Sequence, residues 1–255
     1  MALEIRTLPC LSDNYVYLLH DAASGETGVI DVPDATAVEA GLKAEGWTLN
    51  QILLTHHHYD HIDGVAALNA ANKLAIIGHD ADAKRLPKLS SALNEGDQVS
   101  IGQEAGEVIE VSGHTIGHIA YHFPASKALF SGDSLMVMGC GRLFEGSAEQ
   151  MWASLNKLMA LPPETRIYSG HEYTAANAKF ALSIEPENKA LIERVKQISE
   201  ARARGEDTMG STLAQEMATN PFLRAGLPQV KELVGMEGAP DAAVFAEIRK
   251  RKDNF

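Results

Sequence analysis

The first half of the chain alternates short apolar runs with polar turns. Residues 5–8, 16–20 and 29–32 are runs of strand length, separated by Ser12-Asp13-Asn14 and Ser24-Gly25. Runs bounded by such turn formers predict strands. Residues 36–43 carry helical spacing and stop near Gly46, which predicts a short helix. Gln51-Ile52-Leu53-Leu54-Thr55 is a continuous apolar run, the pattern of a strand covered on both faces. It empties directly into His56-His57-His58-Tyr59-Asp60-His61. Residues 64–72 then predict a small helix and 74–78 a strand. Further strands are expected at 98–101, 107–111, 118–123 and 128–130, with a helix over 148–160 before a strand at 166–168. Such interleaving of helices and strands predicts a layered α/β domain with buried mixed sheets.

After Tyr173 strand signals vanish. Residues 175–182, 188–204, 212–217 and 241–251 read as helices, punctuated by Gly205-Glu206-Asp207 and Pro228. The change of texture predicts two regions, 1–172 and 173–255, the second all-helical.

Composition narrows the class. At 255 residues the chain is long enough to bury a large core without covalent staples. Lys plus Arg number 22 against 34 Asp plus Glu, a net charge of 22 − 34 = −12. An acidic surface repels phosphate backbones and anionic lipid, so no nucleic acid and no membrane are expected as partners. Cys10 and Cys140 make no disulfide framework and match no metal or redox spacing. The first residues are charged at once, and no apolar run approaches the ~18 residues of a membrane span. The expected home is a reducing cytoplasm, and the expected state a monomer.

The histidine-rich segment carries the chemistry. In an extended chain the side chains of residues 56, 58 and 60 share one face, so His56, His58 and Asp60 converge while His57 and Tyr59 point away. His61 joins them if the chain turns after Asp60. Three more donors each follow an apolar strand and a small-Gly pair: His114 after Ser112-Gly113, Asp133 after Ser131-Gly132, and His171 after Ser169-Gly170. One tetrahedral ion needs three or four donors. Seven suit two divalent ions with one carboxylate bridging, an arrangement that yields hydroxide at neutral pH and marks a hydrolase. Imidazole and carboxylate without thiolate accept zinc, the expected metal, and also iron or manganese.

Thr-His-x-His-x-Asp-His with later isolated His, Asp and His resembles the metallo-β-lactamase superfamily, a four-layered αββα sandwich. Within it the chain resembles glyoxalase II, the hydroxyacylglutathione hydrolases. That likeness rests on Gly139-Cys140-Gly141-Arg142-Leu143-Phe144-Glu145-Gly146, Gly170-His171-Glu172-Tyr173-Thr174 and Asn220-Pro221-Phe222-Leu223-Arg224. The resemblance implies His56, His58 and His114 on one ion, Asp60, His61 and His171 on the other, and Asp133 bridging. Asp60 and Asp133 would also orient the attacking hydroxide. It implies a glutathione thioester as small-molecule substrate, typically D-lactoylglutathione, cleaved in the second step of methylglyoxal detoxification. Glutathione would meet Arg142, Phe144, Tyr173, Asn177, Arg249 and Lys252, making 173–255 a substrate-binding domain. The family's usual loop tyrosine is here Phe144, and Arg142 and Leu143 replace commoner Lys and Phe. The alternatives are a lactonase, a general thioesterase or a mononuclear iron dioxygenase acting on glutathione persulfide. A nuclease is disfavoured by the acidic balance, and a non-enzymatic metal-binding module would need no substrate loop.

Overall fold

The computed structural model describes residues 2–255. The chain forms two compact units, one comprising the chain up to Val111 with Ile116–Gly132, the other Ser112–Thr115 with Asp133–Phe255. Compactness thus divides the chain elsewhere than the change of texture at 172/173.

The first unit holds β1 (Glu4–Cys10), β2 (Asn14–Asp21), β3 (Glu26–Ile30), α1 (Ala35–Glu45), β4 (Leu49–Leu53), α2 (Tyr59–Ile62), α3 (Val65–Asn72), β5 (Ala75–His79) and β6 (Ser91–Leu93). These strands form one sheet in the order β1-β2-β3-β4-β5-β6. The first pairings are antiparallel hairpins, and β3 to β6 run parallel. Parallel neighbours need a crossover, which α1 and then α2 and α3 supply. Helix α1 begins where the Asp34 carboxylate accepts the Thr36 N–H, and it stops at Gly46 in the left-handed conformation. Its Val38 joins Val65 and Leu68 of α3 over Val16, Leu18, Val29, Ile52 and Ile76 of the sheet, forming one apolar core. Burial of this kind stabilises by roughly 25 cal/mol per Å² of apolar surface removed from water.

Strands β7 (Gln98–Ile101), β8 (Glu104–Glu110), β9 (Ile119–Phe123) and β10 (Ala128–Gly132) follow as an antiparallel meander in the same unit. The meander stacks on the first sheet through Tyr17 against Phe130, ring centroids 5.4 Å apart, and through the Tyr121 hydroxyl, which donates to Leu54 O at 2.8 Å. A Cβ on Gly28 would lie 2.4 Å from Ile101 Cδ1, so glycine is what lets the sheets approach there.

The second unit opens on a two-residue-turn hairpin, β11 (Leu135–Met136) and β12 (Gly139–Cys140). Then come α4 (Ala148–Met159), β13 (Arg166–Ser169), α5 (Thr174–Ile184), α6 (Lys189–Ala203), β14 (Ser211–Thr212), α7 (Leu213–Thr219), α8 (Pro228–Val234) and α9 (Asp241–Asp253). A capping box starts α4: the Ser147 hydroxyl accepts from Gln150 N–H while the Gln150 side chain accepts from Ser147 N–H. Two expectations fail here. Pro228 stands between the expected helices but also opens one that was not expected, α8, because a missing N–H costs nothing at a first turn. Strand β14 pairs with β13 although no strand was expected after Tyr173; it is two residues long and leaves no periodic trace.

Candidate metal centre

In the first unit β4 ends at Leu53, and the chain turns into α2 at Tyr59, earlier than expected. The alternation therefore holds through His58 but does not place Asp60, which sits with His61 in a helical turn. His57 does point away, its Nδ1 2.9 Å from the carboxylate of buried Asp82, and Tyr59 is exposed.

Buried Asp31 organises this cluster, and sequence reasoning missed it. Its backbone is left-handed, with φ of 56°, a conformation that Asp tolerates better than most residues. Its Oδ1 accepts the Thr55 N–H at 2.8 Å, and its Oδ2 accepts the Thr55 hydroxyl and His61 Nδ1–H, each at 2.8 Å. Because the Thr55 proton goes to Asp31, the Thr55 oxygen accepts from His56 Nδ1 at 3.0 Å. These bonds fix both tautomers and leave Nε2 of His56 and of His61 as the lone-pair nitrogens, as metal-ligating imidazoles require. His56 Nε2 lies 3.1 Å from His58 Nδ1. Two donors at 2.0–2.1 Å from one tetrahedral ion stand about 3.3–3.4 Å apart, so this spacing suits a shared cation. Asp31, His56 and His61 also bring ligand atoms within 4.8 Å of one another. The three N–H and O–H donors on its oxygens suit Asp31 to orienting Thr55 and the candidate ligand His61. Asn14 does the same for Asp60, donating to its Oδ2 at 3.2 Å and to its backbone O at 3.0 Å. The only sequence trace of either support is a polar residue beside a strand.

The second unit gathers His114, Asp133 and His171. His114 Nδ1–H donates to Arg142 O at 2.8 Å, which leaves Nε2 as the lone-pair nitrogen. Nε2 of His114 and Nε2 of His171 stand 3.5 and 3.2 Å from the same Asp133 Oδ2. A Cβ on Gly141 would lie 2.0 Å from Asp133 O and 2.9 Å from His114 Nδ1, so only glycine allows the loop to reach His114.

The candidate substrate residues belong to this unit and fall into three groups by exposure. Arg142, Phe144 and Tyr173 are exposed, with Phe144 edge-on to His114 and Tyr173 stacked on His171 at 4.8 Å. Asn177 and Arg249 are buried instead. Asn177 Nδ2 donates to Val137 O at 3.1 Å, and Arg249 Nη1 donates to Cys140 O at 2.9 Å. Lys252 is intermediate, its ammonium over the Phe180 and Phe255 rings and 3.3 Å from Ala176 O. Burial, and then the Arg249 and Arg142 charges, hold its pKa below the ordinary lysine value.

Comparison with known proteins agrees with this chemistry. The metallo-β-lactamase superfamily model matches residues 18–171, and the model described as hydroxyacylglutathione hydrolase C-terminus matches 172–255. A hydroxyacylglutathione hydrolase from Cereibacter sphaeroides is 62% identical over 255 residues, covering 100% of both chains. One from Ruegeria pomeroyi is 56% identical with the same coverage. Among solved structures, ETHE1 from Myxococcus xanthus superposes with a TM-score of 0.68 at 25% identity, over 99% of this chain and 98% of its own. TTHA1623, solved in a di-iron-bound form, gives 0.62 at 28% identity over 86% of this chain and 100% of its own. The chain therefore has the metallo-β-lactamase fold with a C-terminal helical region.

Proposed function

The chain belongs to the hydroxyacylglutathione hydrolase family of the metallo-β-lactamase superfamily, and from that premise we propose that it hydrolyses the thioester of S-(2-hydroxyacyl)glutathione to glutathione and a 2-hydroxy acid. D-lactoylglutathione is the substrate in mind, which places the reaction second in methylglyoxal detoxification. The observation that carries the reading is identity of 56–62% along the full length, the substrate loop and C-terminal helices included.

The donor set fits a pair of divalent ions, zinc in this reading: five imidazoles, three of them with tautomers fixed by outer hydrogen bonds, two carboxylates, and no thiolate. His56, His58 and His114 would hold one ion, Asp60, His61 and His171 the other, and Asp133 would serve both. When bound, such ions supply hydroxide from water near neutral pH and neutralise the charge that grows on the carbonyl oxygen. The protein's part is placement. Asp31 and Asn14 aim the first unit's donors, and Arg142 O aims His114. Asp60 and Asp133, as hydrogen-bond acceptors, orient the attacking oxygen towards the thioester carbon. Exposed Arg142 and half-buried Lys252 suit the carboxylates of glutathione, with Phe144 and Tyr173 as apolar walls, and 173–255 acts as the substrate-binding domain. The thiolate leaves without a protein nucleophile. We place this activity in a monomer and in the cytoplasm, a compartment where thiols such as the free Cys10 and Cys140 stay reduced.

The test is thiol release from lactoylglutathione by zinc-loaded protein, with dissolved oxygen monitored. Stoichiometric thiol release without oxygen uptake is the expected result. Oxygen consumption on glutathione persulfide, with no thioester cleavage, would assign the chain to the dioxygenase alternative.

A further inference from the structure

Hairpin β11–β12 is held by side chains from sequence far beyond it. Asn220 Nδ2 donates to Met136 O at 3.3 Å and to Gly139 O at 3.0 Å, and Glu216 Oε2 accepts the Met138 N–H at 2.8 Å. The turn needs such support, because Met138 has a φ of 61°, a strained region for a non-glycine residue. Glu216 is itself fixed by the Arg194 guanidinium, by the Ser211 hydroxyl at 2.6 Å and by Asn220 Nδ2 at 3.0 Å. Glu216 and Asn220 are fully buried. A buried carboxylate–guanidinium pair gains little stability over apolar residues of the same volume. What this pair does accomplish is to fix one short hairpin in one register.

The two ends of that hairpin lead to the chemistry. It begins two residues after Asp133. It ends at Cys140, and Gly141 N–H returns to Ser134 O at 3.1 Å. The next residue, Arg142, presents the carbonyl that orients His114. A shift of the hairpin therefore moves Asp133 and the His114 support together, and misplacement of about 1 Å can cost on the order of 10²-fold in rate.

We propose that Glu216 and Asn220 are positioning residues for hydrolysis, acting through the β11–β12 hairpin to set Asp133 and the Arg142 carbonyl. This rests on the metal-centre reading above. It gives the helical segment a role in the reacting centre besides substrate contact.

The test compares zinc-loaded Asn220→Ala and Glu216→Gln with Arg224→Ala. Arg224 pairs with buried Glu185 and donates to Met217 O, and among the described residues no bond joins it to the hairpin, so its loss serves as the control for destabilisation. Glu216→Gln keeps the volume and hence the fold, but an amide cannot accept the donors converging on both carboxylate oxygens. Three readouts are taken: kcat, metal release to a chelator, and amide exchange at Met138 and Gly141. Both hairpin variants should exchange faster at those amides and lose metal faster, with kcat lowered about 10–100-fold, the range carried by outer supports of metal sites. Arg224→Ala should lower Tm while keeping kcat within twofold. Parental exchange and metal release in Glu216→Gln would overturn the proposal, as would equal kcat losses in all three variants. A parent that binds metal yet cleaves no thioester would sink the functional reading, while exchange and metal release still judge the hairpin.

Discussion

The two units supply their candidate donors in opposite ways. The first draws His56, His58, Asp60 and His61 from one stretch, aimed by local turning and by two polar supports, Asp31 and Asn14. The second draws His114, Asp133 and His171 from three loops, and it depends on a glycine-rich loop and on helices up to α9. A contiguous cluster inherits most of its geometry from the backbone. A dispersed one must have each position secured separately, so its sensitivity to substitution extends further from the chemistry. The first unit should fail mainly at its donors and their immediate partners, the second at remote residues too.

The largest effect should come from Asp133→Ala. Two imidazoles of the second unit face one oxygen of this carboxylate, so no remaining group replaces it. Metal analysis should find fewer than two ions per chain, with activity lost by more than the 10–100-fold typical of an outer-sphere partner. Two ions retained per chain would remove Asp133 from its shared role. Next in size is Asp31→Ala. It strips the acceptor from His61 Nδ1 and Thr55 at once, and chelator competition should show metal held about 10–100-fold more weakly. His57→Ala, inside the same histidine run, should leave metal and most activity in place. His57 serves Asp82, which keeps Arg85 as a partner. Equal losses in Asp31→Ala and His57→Ala would break the claim that the first unit's geometry is carried by so few contacts.

Legibility followed the same division. The first cluster was readable because its donors are adjacent in sequence, yet the alternation that grouped them fails at Tyr59, where a helical turn takes over. The later donors were readable because each stands behind an apolar strand and a small-Gly pair. Asp31, Asn14, Glu216 and Asn220 were not, since each acts on residues far along the chain and follows no local period. Resemblance implies substrate contacts at Arg249 and Asn177. The structure shows each held by a backbone carbonyl of the hairpin region, a tertiary fact with no trace in spacing. The sheets and most helices were legible from apolar runs and caps, whereas two-residue strands carry too few positions for a pattern.

Among the candidate substrate residues, Lys252→Ala should raise KM and leave kcat and metal content nearly unchanged. A charge-assisted hydrogen bond contributes about 1.5–3 kcal/mol, and at this half-buried site the lower end, near tenfold in KM, is expected. Its pH dependence has a definite sign. The ammonium is charged below its pKa, and burial sets that pKa below the ordinary 10.5. The contribution to binding an anionic substrate is thus full at neutral pH and is lost on alkaline titration sooner than for an exposed lysine. KM of the parent should climb in that window while that of Lys252→Ala stays flat. Parallel profiles would return Lys252 to a purely structural role over Phe180 and Phe255.

The smallest effect concerns Phe144, where the resemblance implies a tyrosine. The residue is 62% exposed and meets His114 edge-on at 5.3 Å between centroids, so the rim has room for a hydroxyl. The loop is anchored independently of the ring, because Phe144 N–H donates to His114 O at 3.2 Å. The metal ligands should therefore ignore the substitution. A neutral hydrogen bond nets about 0.5–1.5 kcal/mol, so Phe144→Tyr should lower KM for glutathione thioesters by roughly twofold to tenfold. If the new bond holds substrate and transition state equally, kcat does not move. Steady-state kinetics on one glutathione thioester, with metal content measured alongside, separates the outcomes. An unchanged or raised KM would mean that this rim does not touch glutathione, and a changed metal content would mean that even the exposed ring secures the second unit's donors.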